Sequence, residues 1–521
     1  MARTLSFTLP FSADVDQHVR RLCPGVRDYR VVSKSLDARG APRGRVPQFH
    51  YTVEALVEAN DRYGQKKQFP QFEALGHKPI IVGAGPAGLF CAVMLAEHGV
   101  PSIVIERGES ADKRMLKIAK FWRKGELDPE TNVCYGEGGA GLYSDGKLIT
   151  RVKSQHIPYI MQKLVEFGAP EEVSYISNPH LGSNKIRAII GQVSAWLSAR
   201  GCELRHNTKV TKVLSEGGQV TGVELATGER LMSPHVVLAT GHSAQDIYTH
   251  LLESGVAMKQ KDFAVGVRIE HSRRHIDKIQ YGQWCESPEL GAARYRLSWH
   301  DHTADVGVYS FCMCPGGYVL SSGTEADGLV VNGMSNFARN SPWSNAALVV
   351  SVKSAELPEK DLLAGLRFQH AIEKRAFDTS KRFATGREIP SMTVRELLRG
   401  SIDNRKLPST SCPSHIFKAD LTDIFPKTII EHLKLGLAQF EKALPGFTQD
   451  EALLMAPETR TSSPLTILRD RETYQSLSHQ GLYPCGEGAG YAGGITSAAV
   501  DGVRVAYAIL NREKLLPPEA P

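Results

Sequence analysis

The stretch Lys78-Pro-Ile-Ile-Val-Gly-Ala-Gly-Pro-Ala-Gly-Leu-Phe-Cys-Ala-Val-Met-Leu-Ala-Glu-His-Gly-Val-Pro-Ser-Ile-Val-Ile-Glu106 decides how the chain is read. Ile80, Ile81 and Val82 form a short apolar run rich in β-branched residues, the pattern of a parallel strand buried on both faces. Gly83, Gly85 and Gly88 follow at G-x-G-x-x-G spacing, and residues 87–98 are apolar and alanine-rich, as a helix packed on a sheet should be. Each glycine has a mechanical role. Gly83 permits the tight turn, Gly85 lets backbone approach a pyrophosphate, and Gly88 lets helix and strand pack closely. Pro86 and Ala87 open the helix, whose free N–H groups favour phosphate. A second buried strand ends in Glu106, roughly 20 residues after the glycines, where a carboxylate binds ribose hydroxyls. Glu rather than Arg there points to FAD or NAD, not NADP.

Two further glycine-rich segments extend the pattern. Tyr135-Gly-Glu-Gly-Gly-Ala-Gly-Leu-Tyr-Ser-Asp-Gly-Lys147 is too rich in glycine for helix or strand, so it is a loop that approaches something closely. Gly138, Gly139, Ala140 and Gly141 are candidate cofactor contacts, and Ser144 or Lys147 a candidate donor near the reactive N5 of a flavin. Near the C-terminus, Leu482-Tyr-Pro-Cys-Gly-Glu-Gly-Ala-Gly-Tyr-Ala-Gly-Gly-Ile495 precedes an alanine- and valine-rich helix over 496–510. Gly486 and Glu487 form a glycine-acid turn, with Glu487 a candidate acceptor for a ribityl hydroxyl. Gly493, Gly494 and Ile495 would present N–H groups where negative charge collects on a reduced flavin.

Between these segments the chain reads as helix over 111–122 and 184–199, strands at 202–204 and 210–214, and a hairpin over 220–232. His235-Val-Val-Leu-Ala-Thr-Gly-His242 follows. Its strand, 236–239, would rejoin the first sheet, with Ala239, Thr240 and Gly241 closing over the cofactor. Arg107 and Val210 complete the candidate cofactor set. Residues 1–75 read as a small α+β module: strands at 5–9, 29–36 and 48–57, a helix over 13–22 capped by Ser12, and a linker over 61–70. Its basic middle, Lys34, Arg39, Arg43 and Arg45, reads as a solvated loop, with a docking surface for an anionic partner as the alternative. Residues 262–446 read as a sheet-rich substrate unit, with strands at 263–270, 295–299, 307–312 and 328–334 and helices over 356–377 and 428–444. Cys312 and Cys314 allow a strained redox disulfide or, preferred, two small buried thiols.

At 521 residues the chain has room for two or three domains, and 42% hydrophobic with 23% charged residues is a globular composition. The net charge of +6 with no long basic run gives no reason to expect a nucleic-acid partner. Nine cysteines without zinc-type pairs fit a reduced cytoplasmic protein, and no metal site is expected. No apolar run reaches transmembrane length.

The blocks VGAGPAGLF (82–90), YGEGGAGLYSDGKL (135–148), FAVGVRIEH (263–271), YSFCMCPGG (309–317), VNGMS (331–335), ETRTSSP (458–464) and GEGAGYAGGITSAA (486–499), with SLDAR at 35–39, carry a resemblance. The chain resembles the bacterial FAD-dependent dehydrogenases, NAD(P)/FAD-dependent oxidoreductases of the glutathione-reductase-like superfamily. Leu142-Tyr143 departs from the Thr-Phe expected of relatives. The resemblance implies an α/β fold: a discontinuous Rossmann-type FAD domain of the two-dinucleotide-binding kind (76–261 and 447–521), a cap (262–446) and an N-terminal module (1–75). It implies FAD, hydride transfer at flavin N5 and a small organic substrate, with NAD(P)H as a transient donor. No separate βαβ unit carries a G-x-G-x-x-G of its own, so no dedicated NADPH domain is expected. Rival readings are an O₂-using monooxygenase or oxidase, a flavin redox sensor, or an RNA-acting flavoprotein. Lys147, Arg460 and Ser462 are the candidate catalytic contacts. The opposing reading of Arg460 is that it pairs with Glu458 or another acid and braces its loop.

Overall fold

The computed structural model describes residues 2–63, 69–72, 75–384 and 386–515. The strand Ile80–Val82 lies at the middle of a five-stranded, all-parallel sheet ordered Leu482–Pro484, Val236–Leu238, Ile80–Val82, Ile103–Ile105, Glu203–Arg205. Its residues alternate between two cores, as the twofold period of a strand requires. Ile81, Val104, Val237 and Tyr483 face the helices Pro86–Glu97 and Ile495–Arg512. Ile80, Val82, Ile105, Val236 and Leu482 face the antiparallel ribbon Val210–Glu216, Gln219–Leu225, Arg230–Met232. The helix Pro86–Glu97 has Pro86 at its first position, where the missing N–H is harmless, and buries Ala87 to Ala96. The two helices cross at Gly502, where a Cβ would run into the backbone of Ala87 and lie 3.0 Å from the Cys91 nitrogen.

A seven-stranded sheet forms the central unit, ordered Ser298–Asp301, Val306–Cys314, Trp343–Val352, Phe263–Ser272, Leu453–Glu458, Ile389–Thr393, Ile416–Lys418. All pairs are antiparallel except the last. Its apolar core also takes in the helices Ala364–Phe383 and Lys427–Ala443. Three expectations shift here. The expected return to the nucleotide-binding unit at 447 meets Leu453–Glu458, a fully buried strand paired on both edges inside this sheet. The helix expected over 356–377 starts at Ala364, because Pro358 and a 3₁₀ turn at Ser354–Glu356 precede it. The expected strand 295–299 is displaced to Ser298–Asp301.

The N-terminal module is a three-stranded antiparallel sheet with Gln48–Leu56 between Arg3–Pro10 and Asp28–Asp37. Its helix Val15–Leu22 is capped by Asp14, not Ser12: the Asp14 carboxylate accepts from the Gln17 N–H at 3.1 Å. In the basic middle, Arg39 pairs with Asp37 and Lys34 lies 4.3 Å over the Phe49 ring. Half of the expected linker, residues 64–68, lies outside the described residues. No described helix is long and apolar enough to cross a membrane.

Candidate FAD site

Parallel strands point their carboxyl ends the same way, so the turns after them share one edge, where α/β sheets bind nucleotides. Four glycine turns meet there. Gly83 has φ +106°, and a Cβ on it would collide with the Ala239 carbonyl. A Cβ on Gly139 would lie 3.2 Å from the Gly85 Cα, one on Gly141 3.2 Å from Ile495 Cγ1, and one on Gly486 2.8 Å from the Ala87 Cβ. A Cβ on Gly488 would run into Gly241. The turn after the first strand, the 136–147 loop, the 239–241 turn and the 486–495 turn are thus in backbone contact. Thr496 Oγ1 donates to the Leu148 carbonyl at 2.7 Å, tying the last helix to the end of the second loop.

Glu106 organises this edge. Its carboxylate accepts N–H bonds from Ala84 (3.0 Å), Gly108 (3.0 Å) and Gly136 (2.9 Å), so it ties the first glycine turn to the second loop. A carboxylate has about four acceptor positions, which leaves capacity for a ribose hydroxyl. Arg114, fully buried, donates from NH1 to the carbonyls of Gly136 (3.1 Å), Glu137 (2.6 Å) and Gly139 (3.1 Å), and from NH2 to Asn132 (2.8 Å) and Val133 (3.1 Å). A side chain on Gly136 would strike Arg114. The last turn has its own clamps. Asp501 accepts the Gly486 N–H at 2.7 Å and pairs with Arg469 at 2.6 Å, and Tyr248 donates to the Gly488 carbonyl at 2.8 Å. Sequence reading missed Arg114, Asp501 and Tyr248. Each looks like an ordinary helical residue until the loop it holds is known.

The residues present fit FAD. Gly85 has ordinary φ, and the nearest atom to a Cβ there is the Gly139 Cα at 3.9 Å, so its face is open to a phosphate. Gly493 and Gly494 are exposed with nothing within 4 Å of a Cβ, leaving the start of Ile495–Arg512 uncovered. Two helix N-termini and an acid beside one glycine cradle are the donor set that a dinucleotide needs.

Other candidates are placed differently. Ser144 is used inside its own loop, donating to Gly141 at 2.8 Å and accepting from Gly146 at 2.9 Å. Arg107 reaches away to Glu130 (2.6 Å) and Asp246 (3.1 Å) and lies 4.2 Å over the Tyr135 ring. Val210 is buried in the core shared with Tyr135 and Leu238. Glu487 is half-buried, and burial pushes its carboxyl up to about 7, against the pull of Lys261. Lys261 donates to the Gly490 carbonyl at 2.9 Å.

Of the catalytic candidates, Lys147 spans the two units. Its ammonium donates to the Met313 carbonyl, between Cys312 and Cys314, and lies 3.7 Å from Asp145. Asp145 is held in turn by Arg339 Nε at 3.0 Å and by Ser335, and the charges of Lys147 and Arg339 keep its pKa low although burial alone would raise it. Both cysteines are free thiols. Cys314 is buried, but Cys312 is exposed, at a bulge with φ +42°, so only one of the two fits the buried-thiol expectation. Arg460 has the bracing geometry. Its guanidinium takes both oxygens of fully buried Glu373, at 3.0 and 2.8 Å, and donates to Thr324 at 2.5 Å. Glu458 belongs instead to Arg268. Ser462 is half-buried on the same loop.

The family described as FAD-dependent protein, C-terminal domain-like matches residues 262–461, and the FAD binding domain family matches residues 78–115. A protein of Clostridium beijerinckii described only as uncharacterized is 39% identical over 443 residues, 84% of this chain and 82% of the relative. Protein FixC of Escherichia coli K12 is 30% identical over 193 residues, 36% of this chain and 42% of FixC. The solved structure of a triple mutant of the flavin-dependent brominase Bmp2 aligns with 85% of this chain and 82% of its own at 12% identity, with a TM-score of 0.37. With its cofactor cradle, its two family matches and the clostridial relative, the chain belongs to the family of the clostridial protein and is an FAD-dependent oxidoreductase.

Proposed function

We propose that the protein transfers hydride between flavin N5 and a small organic substrate, in an FAD site of the two-dinucleotide-binding, glutathione-reductase-like kind. The observation that carries this reading is the convergence of four glycine turns on one sheet edge, with Lys147 reaching from that edge into the central sheet. In this reading residues 1–75 are an N-terminal module. Residues 76–261 and the chain after 461 hold FAD, and 262–461 cap the substrate face.

FAD, when bound, supplies a hydride- and electron-accepting ring system. The chain's residues do the rest. Gly85 and the start of Pro86–Glu97 take the pyrophosphate, Glu106 takes a ribose hydroxyl, and the N–H groups of Gly494 and Ile495 face negative charge, the Gly493 N–H being taken by Ser497 Oγ at 3.2 Å. Gly138 to Gly141, Thr240 and Gly241 supply close backbone walls. Lys147 orients and stabilises an anionic group on the substrate, such as a carboxylate or enolate, and Asp145 with Arg339 fixes where its ammonium sits. Arg460 positions the 458–464 loop through Glu373 and does not touch substrate. NAD(P)H, if it serves as donor, docks transiently. All nine cysteines are free, which suits a reducing cytoplasm.

The test is anaerobic reduction of the bound flavin by a panel of small hydroxy, amino and saturated acyl acids and by NADH and NADPH. The reading predicts bleaching of the flavin by one class of acid, slowed in Lys147→Met at full FAD content. Bleaching by none of them, or a Lys147→Met variant that reduces at the wild-type rate, contradicts it.

A further inference from the structure

At the opposite edge of the parallel sheet, His77, His235 and Glu513 turn one ligand atom each toward a common point, all within 4.8 Å of one another. We propose that these three side chains form a binding site for a divalent transition-metal ion of zinc's class, which staples three distant segments of the chain. His77 lies just before the strand Ile80–Val82, and His235 just before its parallel neighbour Val236–Leu238. Parallel pairing therefore sets the two imidazoles side by side, with ring centroids 5.2 Å apart. The Ile80 N–H donates to the His235 carbonyl at 2.9 Å and fixes that register. Glu513 closes the helix Ile495–Arg512, which begins at the cofactor cradle. Eighteen helical residues span about 27 Å, so the cluster lies a full helix length from the cofactor cradle. His235 and Glu513 are 278 positions apart, which is why no ligand spacing is visible in the sequence.

Two features separate this cluster from an ordinary His–Glu pair. The Nε2 atom of His77 is buried and has no hydrogen-bond partner among the described residues, and an orphaned buried nitrogen needs an explanation. A metal ion supplies the missing partner for its lone pair. His235 is fully buried, its Nδ1 is 3.1 Å from the Tyr483 hydroxyl and its Nε2 is 2.7 Å from Glu513. In the tautomer that donates Nδ1–H to Tyr483, Nε2 carries its lone pair toward the cluster, and the tyrosine is the outer partner that metal-ligating histidines commonly have. Two imidazoles and one carboxylate are borderline ligands that select zinc-class ions over magnesium or calcium, with water completing four-coordination. The nearby cations have other partners: Lys78 donates to the Gly201 carbonyl and Arg512 to Gln475.

The experiment uses the FAD-loaded protein, stripped of metal with chelator and titrated with Zn²⁺, Co²⁺ and Mg²⁺. The proposal predicts one Zn²⁺ per chain, a Co²⁺ absorption band at longer wavelength than the flavin, no Mg²⁺ binding, and a melting temperature that climbs with the logarithm of free Zn²⁺. Glu513→Gln and His77→Asn should each weaken Zn²⁺ binding at least ~10-fold while FAD content and the flavin spectrum stay as in wild type. Glu513 is partly exposed at a helix end, so its variant keeps the test open if His77→Asn folds poorly. Absence of stoichiometric Zn²⁺ binding, or wild-type affinity in the variants, overturns the proposal.

Discussion

The two large sheets treat polarity in opposite ways. The strands at the centre of the five-stranded parallel sheet are apolar, and the polar capacity at its C-terminal edge is backbone: glycine amides and helix starts, with Glu106 as their organiser. The seven-stranded sheet buries whole charges. Fully buried Arg268 takes both oxygens of Glu458 at 2.8 and 3.0 Å and one from Asn345 at 2.7 Å. Burial alone would lower the Arg268 pKa, and Glu458 more than offsets this. The first arrangement leaves donors for a ligand. The second uses its charges up internally, holding Phe263–Ser272 to Leu453–Glu458 and, through Arg460 and Glu373, a loop to a helix. A buried cation near a cofactor is thus not by itself a catalytic group; what its partners leave free decides.

The comparison breaks most visibly at Arg268. Arg268→Met strands Glu458 in the core and should cost about 3–5 kcal/mol of unfolding free energy. Chemical denaturation measures the loss, and FAD per folded chain should be unchanged. If FAD falls in step with stability, the two units are not energetically separate.

Lys147 sharpens the contrast from the other side. It is 27% exposed, and its only carboxylate neighbour among the described residues, Asp145, already has Arg339. Lys147→Met should therefore change stability by less than about 1 kcal/mol, but slow flavin reduction by substrate ~10–100-fold. Denaturation and anaerobic stopped-flow together check this pair of outcomes.

Glu487 gives the smallest effect. Its folded pKa of about 7 stands above the ordinary 4.5. Between those values the folded chain holds a proton that the unfolded chain has released, so stability falls as pH rises through the window and levels off above it. The fall should amount to about 1–2 kcal/mol, allowing for partial exposure. Melts across pH 4.5–8 should show the slope in wild type and not in Glu487→Gln.

What the sequence discloses follows the same division. Glycine turns are local: Gly83, Gly85 and Gly88 with their flanking strand and helix carry their geometry in a few adjacent residues, so the parallel sheet and its cradle were legible. The central sheet was less so. Trp343–Val352, a strand paired on both edges, begins Trp-Ser-Asn-Ala-Ala and lacks a marked β pattern, and Leu453–Glu458, expected with the nucleotide-binding unit, pairs inside this sheet. Non-local pairing decides both. Arg114 and the Lys147–Asp145–Arg339 arrangement were illegible because their partners come from separate segments. Arg460 shows the converse: a motif made it conspicuous, and the fold gave it to Glu373.

Gly85 offers the most direct measurement. In the unliganded fold a Cβ there meets nothing closer than 3.9 Å, and φ is −79°, so Gly85→Ala should fold and melt as wild-type apoprotein does. If the cradle holds the pyrophosphate against Gly85, the same methyl group should weaken FAD binding by ~10-fold or more. FAD affinity measured by flavin fluorescence on refolded apoprotein, with circular dichroism as control, gives the answer. Loss of affinity with an intact fold is the predicted result; wild-type affinity in the folded variant would contradict the assignment of the FAD site.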